Sequence, residues 1–198
     1  STAPTTSILL QSKSSRFPNG LGNDSGELGH NLMDHHFLLG ADGVYDGFED
    51  KYYKGRHASC IYIPRFRNLG ESTNHKDFLR GYGFQGGAWR SDHRELIKKT
   101  GYGKELKDAV LTPGGWGMNL GGFGEVLPYH DNKIYLDYNK TDKWGLPTIT
   151  FDAEIKENEK AMRKDIKQQA AEMLESAGFR DVREYDNEYA MGLAIHEM

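Results

Sequence analysis

Apolar and polar positions change period several times along this chain. From Ile155 onward, apolar residues fall at Met162, Ile166, Ala170, Met173, Leu174 and Ala177, with Lys, Glu and Arg between them. That spacing marks one face of a long amphipathic helix and assigns its charged face to water. Gly178 follows as a C-cap. A shorter helix is predicted over 91–99, with Ser91 or Asp92 as N-cap. Six other runs, 35–40, 59–64, 81–89, 116–127, 133–138 and 147–151, are rich in β-branched and aromatic residues and read as strands. Regular strand–helix–strand spacing is missing, which favours antiparallel pairing. Asp131-Asn132 is a turn signal between the fourth and fifth runs and predicts that these two form a hairpin. Residues 7–11 read equally as a helical turn or a strand, and 12–29 as a loop. The fold class expected is α+β: a largely antiparallel sheet of about six strands with helices packed on one face.

Composition narrows the picture. A chain of 198 residues builds one sizeable domain or two small ones. Only 37% of residues are hydrophobic, yet 3 Trp, 11 Tyr and 9 Phe argue against disorder, and 24 Gly suit a sheet with many loops. A net charge of −4 with scattered Lys and Arg gives no nucleic-acid footprint. Long apolar runs are absent, so no membrane span is expected. The single cysteine, Cys60, excludes an internal disulfide and a cysteine-based metal cage, and leaves the compartment open between cytoplasm and periplasm. Both ends are abrupt. Ser1 enters an apolar stretch without an initiator Met, and His196 follows an apolar run two residues before the end. Terminal segments usually fray into polar residues. The chain is therefore expected to be a piece of a longer protein.

Candidate chemistry is sparse. His30, His35 and His36 cluster around Asp34, but a strand puts His35 and His36 on opposite faces, and no helical metal-ligand spacing exists. A structural role is preferred and no metal site is assigned. Gly81, Gly83 and Gly86 scan as a dinucleotide fingerprint, but they lie within a strand-like run that opens no helix. Glycines inside strands more often mark a bulge or the close approach of a ligand or backbone. Beside Tyr82, Phe84, Trp89, Trp116 and Phe123 they suit a surface for a sugar-like or small polar molecule, with ordinary sheet packing as the alternative. By residue type alone His196 reads as a core histidine. An imidazole there can also take a hydroxyl proton.

Three stretches in order carry a resemblance: residues 1–12 (STAPTTSILLQS), 26–35 (GELGHNLMDH) and His196-Glu197-Met198. Together they resemble the glucose-methanol-choline family of FAD-dependent oxidoreductases. The segments 63–68, 79–87 and 143–147 resemble its bacterial branch near gluconate and sugar dehydrogenases and pyranose oxidases. The resemblance implies that residues 1–34 are a remnant of the segment joining the FAD-binding domain, and that 35–198 are a substrate-binding domain truncated at the catalytic histidine. It implies His196 as the base that takes the alcohol proton while hydride passes to flavin N5. It implies Ala194 and Ile195 as the strand presenting that histidine, and Asn31 and Asp34 as residues near the flavin. Gln85 and Trp89, with Glu125 as a weaker candidate, become substrate contacts.

The chain departs from the family pattern in two places. On this resemblance the dinucleotide fingerprint is expected before Ser1 and the second active-site residue beyond Met198. The partners implied are a small alcohol or sugar and the missing FAD-binding domain, and this piece alone is expected to bind no FAD and to be inactive. Two other readings stand beside it: a stand-alone carbohydrate-binding or protein-interaction module, and an assembly subunit of a separate flavoprotein.

Overall fold

The computed structural model describes residues 2–48, 60–90, 102–111 and 114–187. In chain order the elements are α1 (Thr2–Gln11), β1 (His35–His36), β2 (Leu39–Tyr45), β3 (Ile61–Ile63), a 3₁₀ turn (Glu71–Thr73), β4 (Tyr82–Arg90), α2 (Lys104–Leu111), β5 (Trp116–Glu125), β6 (Lys133–Thr141), β7 (Pro147–Asp152), α3 (Glu157–Ser176) and β8 (Arg180–Asp186). The class is α+β with antiparallel pairing, as the sequence leads one to expect. Two compact units form, one from 2–36 with 125–161 and the other from 37–124 with 162–187.

In the first unit α1 packs on β6, and β6 pairs with β7 through Ile134↔Phe151 and Leu136↔Ile149. The expected hairpin between the fourth and fifth runs does not form. The fifth run, β6, pairs with the sixth, while the fourth, β5, pairs with β2 and β4. Asn132 makes no hairpin turn between them. It is buried, donates from Nδ2 to Glu154 O at 3.1 Å and accepts from Glu154 N at 3.1 Å. A buried amide with both functions bonded is a fastener, and the turn propensity that flagged it says nothing about that use. Residues 7–11 resolve as the end of α1.

The second unit is built on an antiparallel sheet in the order β3-β4-β5-β2-β8. One face carries Leu39, Ala41, Tyr82, Phe84 and Leu120, all buried, and α3 covers it with Met162, Ile166, Ala170 and Leu174. Burying each large apolar side chain contributes roughly 1.5–3 kcal/mol. The approach is close: a Cβ on Gly122 would stand 2.2 Å from Ile166 Cγ2. At the C-terminus of α3 the chain turns through Gly178 at φ 86°, with Gly178 N donating to Glu175 O at 2.9 Å and Phe179 N to Leu174 O at 3.0 Å. This is the Schellman arrangement that the glycine predicts.

Four features escaped the pattern, the first being helix α2 at Lys104–Leu111, which no predicted element covers. β2 runs on to Tyr45, well past the predicted stop at Gly40. β8 was not expected at all, because Arg180-Asp181-Val182-Arg183-Glu184-Tyr185-Asp186 is mostly charged, a composition that suits an edge strand. Finally, the charged positions of α3 do not all meet water. Glu159 is 0%, Arg163 5% and Asp165 8% exposed, each engaged by specific partners. The predicted helix at 91–99 lies outside the described residues.

Candidate functional site

Alternation along β4 sends Tyr82, Phe84, Gly86 and Ala88 toward α3 and Gly83, Gln85, Gly87 and Trp89 to the opposite, outward face. The registers extend that outward face across the sheet. One transverse row reads Tyr62, Gln85, Gly121, Gly40, Tyr185 from β3 to β8. The next reads Gly87, Asn119, Asp42, Arg183, and a third brings Trp89 beside Gly117 and Val44. Neighbouring strands lie about 4.8 Å apart, so Gln85 and Tyr185 stand roughly 14 Å apart across a floor of two glycines.

Those glycines have local reasons. Gly40 sits at φ 150°, where a Cβ would meet Leu120 O at 1.9 Å, so no other residue fits there without moving the strand. At Gly117 a Cβ would meet the Trp89 ring at 2.9 Å, which means that the indole lies across the bare backbone of its neighbour. Trp89 nonetheless stays 42% exposed, with Tyr62 exposed at the far side of the same face. Glycines at these positions lower the floor and leave the side chains around it as walls.

Polar groups ring this floor. Asn119 Oδ1 accepts from Gly87 N at 3.3 Å, and its side chain acts on the neighbouring Tyr185 hydroxyl. The Tyr185 pKa lies above the ordinary tyrosine value: burial dominates, the Asn119 side chain opposes it, and the Asp42 charge adds to it. Tyr185 therefore keeps its proton at neutral pH. The amides of Gln85 and the carboxylate of Asp42 point to the same side. An acceptor, a donor and neutral amides around an open glycine floor match the needs of a small hydroxylated molecule. On the opposite face, a mainly apolar recess of about 560 Å³ is lined by Tyr45, Phe48, Ala88, Trp116 and Phe179.

The structure places the sequence-derived candidates as follows. Gln85 and Trp89 share the outward face of β4. Glu125 is the last residue of β5 and is exposed. Asn31, at φ 59°, donates from Nδ2 to Glu27 Oε2 at 3.1 Å, and buried Asp34 accepts from His35 N at 2.7 Å. Ala194, Ile195 and His196 lie outside the described residues. Sequence reasoning missed Asp42, Asn119 and Tyr185. The signal available was the period-2 placement of Asn119 between Gly117 and Gly121; no local pattern marks the other two.

Elsewhere, His30 does not join His35 but stacks on His130, with ring centroids 4.0 Å apart. Among the described residues no group of three or more His, Cys, Asp or Glu is placed to hold a metal ion, and no helix is long and apolar enough to cross a membrane.

No family model matches the chain. It is similar to 2-methyl-1,2-propanediol dehydrogenase of Mycolicibacterium austroafricanum, with 30% identity over 160 residues that cover 78% of this chain and 28% of that protein. It is also similar to the fructose dehydrogenase large subunit of Gluconobacter japonicus, with 25% identity over 150 residues covering 75% of this chain and 27% of that subunit. The chain thus spans little more than a quarter of the length of either relative. Both are dehydrogenases by name, one named for a diol and one for a sugar.

Proposed function

We propose that this chain is the substrate-binding part of an FAD-dependent oxidoreductase of the glucose-methanol-choline type, acting on CH–OH groups of a sugar, polyol or related alcohol. The observation that carries the reading is the outward face of the sheet, where Gln85, Asp42, Asn119 and Tyr185 surround bare glycine backbone beside Trp89. The two dehydrogenase relatives supply the reaction class. In this reading Gln85 bonds substrate hydroxyls, Trp89 packs against the carbon skeleton, and Glu125 remains a weaker contact. His196 is the base that takes the hydroxyl proton, and Ala194 and Ile195 present it.

A flavin, when bound, supplies the hydride acceptor. Of the residues assigned to it, Asn31 has its amide on Glu27, and Asp34 is buried with its carboxylate on the His35 N–H. In this reading both lie near the flavin, and these bonds hold their side chains in place. The flavin belongs in this proposal to the longer protein, and the chain alone is expected to bind none.

The test is dye-linked oxidation by the full-length protein with fructose and 2-methyl-1,2-propanediol as probes. Turnover with either, reduced at least about 100-fold in His196→Ala, supports the reading. Sugar binding without any turnover by the full-length protein would favour the second reading, a carbohydrate-binding module, to which exposed Trp89 and Tyr62 on one face also lend themselves.

A further inference from the structure

Asp42 occupies an unusual place. It sits on β2, the strand between β5 and β8, and its neighbours on the outward face are Asn119 on one side and Arg183 on the other. It is only half-exposed, yet its carboxylate makes no hydrogen bond or ion pair with any described residue. Arg183 stands next to it in register without forming an ion pair. A carboxylate held this way accepts two hydrogen bonds at once and donates none.

Tyr185 is its complement. The register puts it diagonally across from Asp42, roughly 7–8 Å away on the same face. Asn119 has committed Oδ1 to Gly87 N, so its NH₂ is the group left to face the Tyr185 oxygen. The phenolic proton is then left to donate outward. The pair presents two acceptor oxygens and one donor over the bare backbone of Gly40 and Gly121. A single hydroxyl engages only part of this set. Two hydroxyls on adjacent carbons can both donate to the Asp42 carboxylate while one of them accepts from Tyr185.

Resting on the function proposed above, we propose that Asp42, with Tyr185 oriented by Asn119, is the specificity determinant of this face and selects vicinal diols and polyols over monohydric alcohols. A site that bonds a substrate hydroxyl discriminates strongly against the analogue lacking it, because its own polar groups are then left unpaired.

The matched probes are 2-methyl-1,2-propanediol and 2-methyl-1-propanol, which differ by one hydroxyl. The measurement is the ratio of their kcat/KM values with the full-length protein, for wild type, Asp42→Ala and Asp42→Asn. The expected result is a wild-type ratio well above one, falling at least about 10-fold in Asp42→Ala through loss on the diol alone, with an intermediate value for Asp42→Asn. Asp42 is half-exposed and unpaired among the described residues, and unchanged thermal midpoints for both variants check that the sheet is intact. If the wild type oxidises the diol but its ratio is unmoved by Asp42→Ala, or both substrates fall alike, the inference is overturned while the oxidoreductase reading stands. If the wild type oxidises neither these probes nor fructose, the oxidoreductase reading itself fails and takes the inference with it.

Discussion

The Tyr185 hydroxyl lies over Gly121: a Cβ on that glycine would stand 3.3 Å from it. The two residues are far apart in sequence and on strands that do not touch, since β2 runs between β5 and β8. The aromatic ring spans Gly40 to reach Gly121, which is possible only because neither position carries a side chain. Gly121→Val should therefore displace the Tyr185 hydroxyl and raise KM for a polyol several-fold, with kcat for a small monohydric alcohol little changed. Steady-state kinetics of the full-length protein on both substrates check this. Equal effects on the two would mean that the substitution disturbs the sheet rather than the site.

Asp165 fastens α3 to the sheet and to the segment before β4. Arg67 donates to it twice, Nε to Oδ2 at 2.8 Å and its terminal nitrogen to Oδ1 at 2.9 Å, and the Tyr82 hydroxyl donates to Oδ2. Asp165→Ala strands the Arg67 guanidinium and the buried hydroxyl together. The expected loss is about 2–3 kcal/mol, below the 3–5 kcal/mol of a fully buried pair because Arg67 keeps some contact with water. Tyr82→Phe should cost about 1.5–3 kcal/mol through the same carboxylate. Urea unfolding of each variant measures both values.

Gly122→Ala should destabilise the second unit by about 1–3 kcal/mol. The added methyl would stand 2.2 Å from Ile166 Cγ2, in a core where Ile166 is fully buried and α3 is anchored at Asp165. Pairing it with Ile166→Ala, which removes Cγ2, in a double-mutant cycle should give a combined loss smaller than the sum of the two single losses. Strict additivity of the two changes would show that the contact is not the cause.

Alkaline pH should act through Tyr129. Burial, then its hydrogen bond to the Glu159 carboxylate, raises its pKa from the ordinary 10.0 to about 12. The folded form thus holds the phenolic proton more tightly than the unfolded chain does. That contribution is complete below pH 10 and is lost as pH rises from 10 through 12. Tyr82 is raised further still, by burial and by Asp165, and adds in the same direction. The fall in unfolding free energy between pH 10 and 12 should be shallower in Tyr129→Phe than in wild type. Parallel curves for the two proteins would rule out Tyr129 as a source.

How far the sequence could be read follows from which signals are local. The face of α3 was legible because Met162, Ile166, Ala170 and Leu174 repeat at helical spacing, and Gly178 marks its end. β4 through β7 were legible from their apolar and aromatic content. β8 was not, since an edge strand gains little from apolar residues and this one is mostly charged. The burial of Glu159, Arg163 and Asp165 could not be read either. Their partners, Leu127, Tyr129, Asp186, Arg67 and Tyr82, come from other elements, and amphipathic periodicity knows only the helix itself.

The candidate site divides in the same way. Local sequence determined that Gln85 and Trp89 share a face of one strand, four residues apart, and that glycines interrupt the neighbouring runs. Pairing order and register, which only the tertiary structure decided, carried Asn119, Asp42 and Tyr185 to the same floor. The physical reason is that side-chain alternation is fixed within a strand by backbone geometry, whereas the partner across the ladder is chosen by the packing of the whole sheet on α3. A one-residue slip of β2 or β8 would leave every strand intact and turn Asp42 or Tyr185 away from this face.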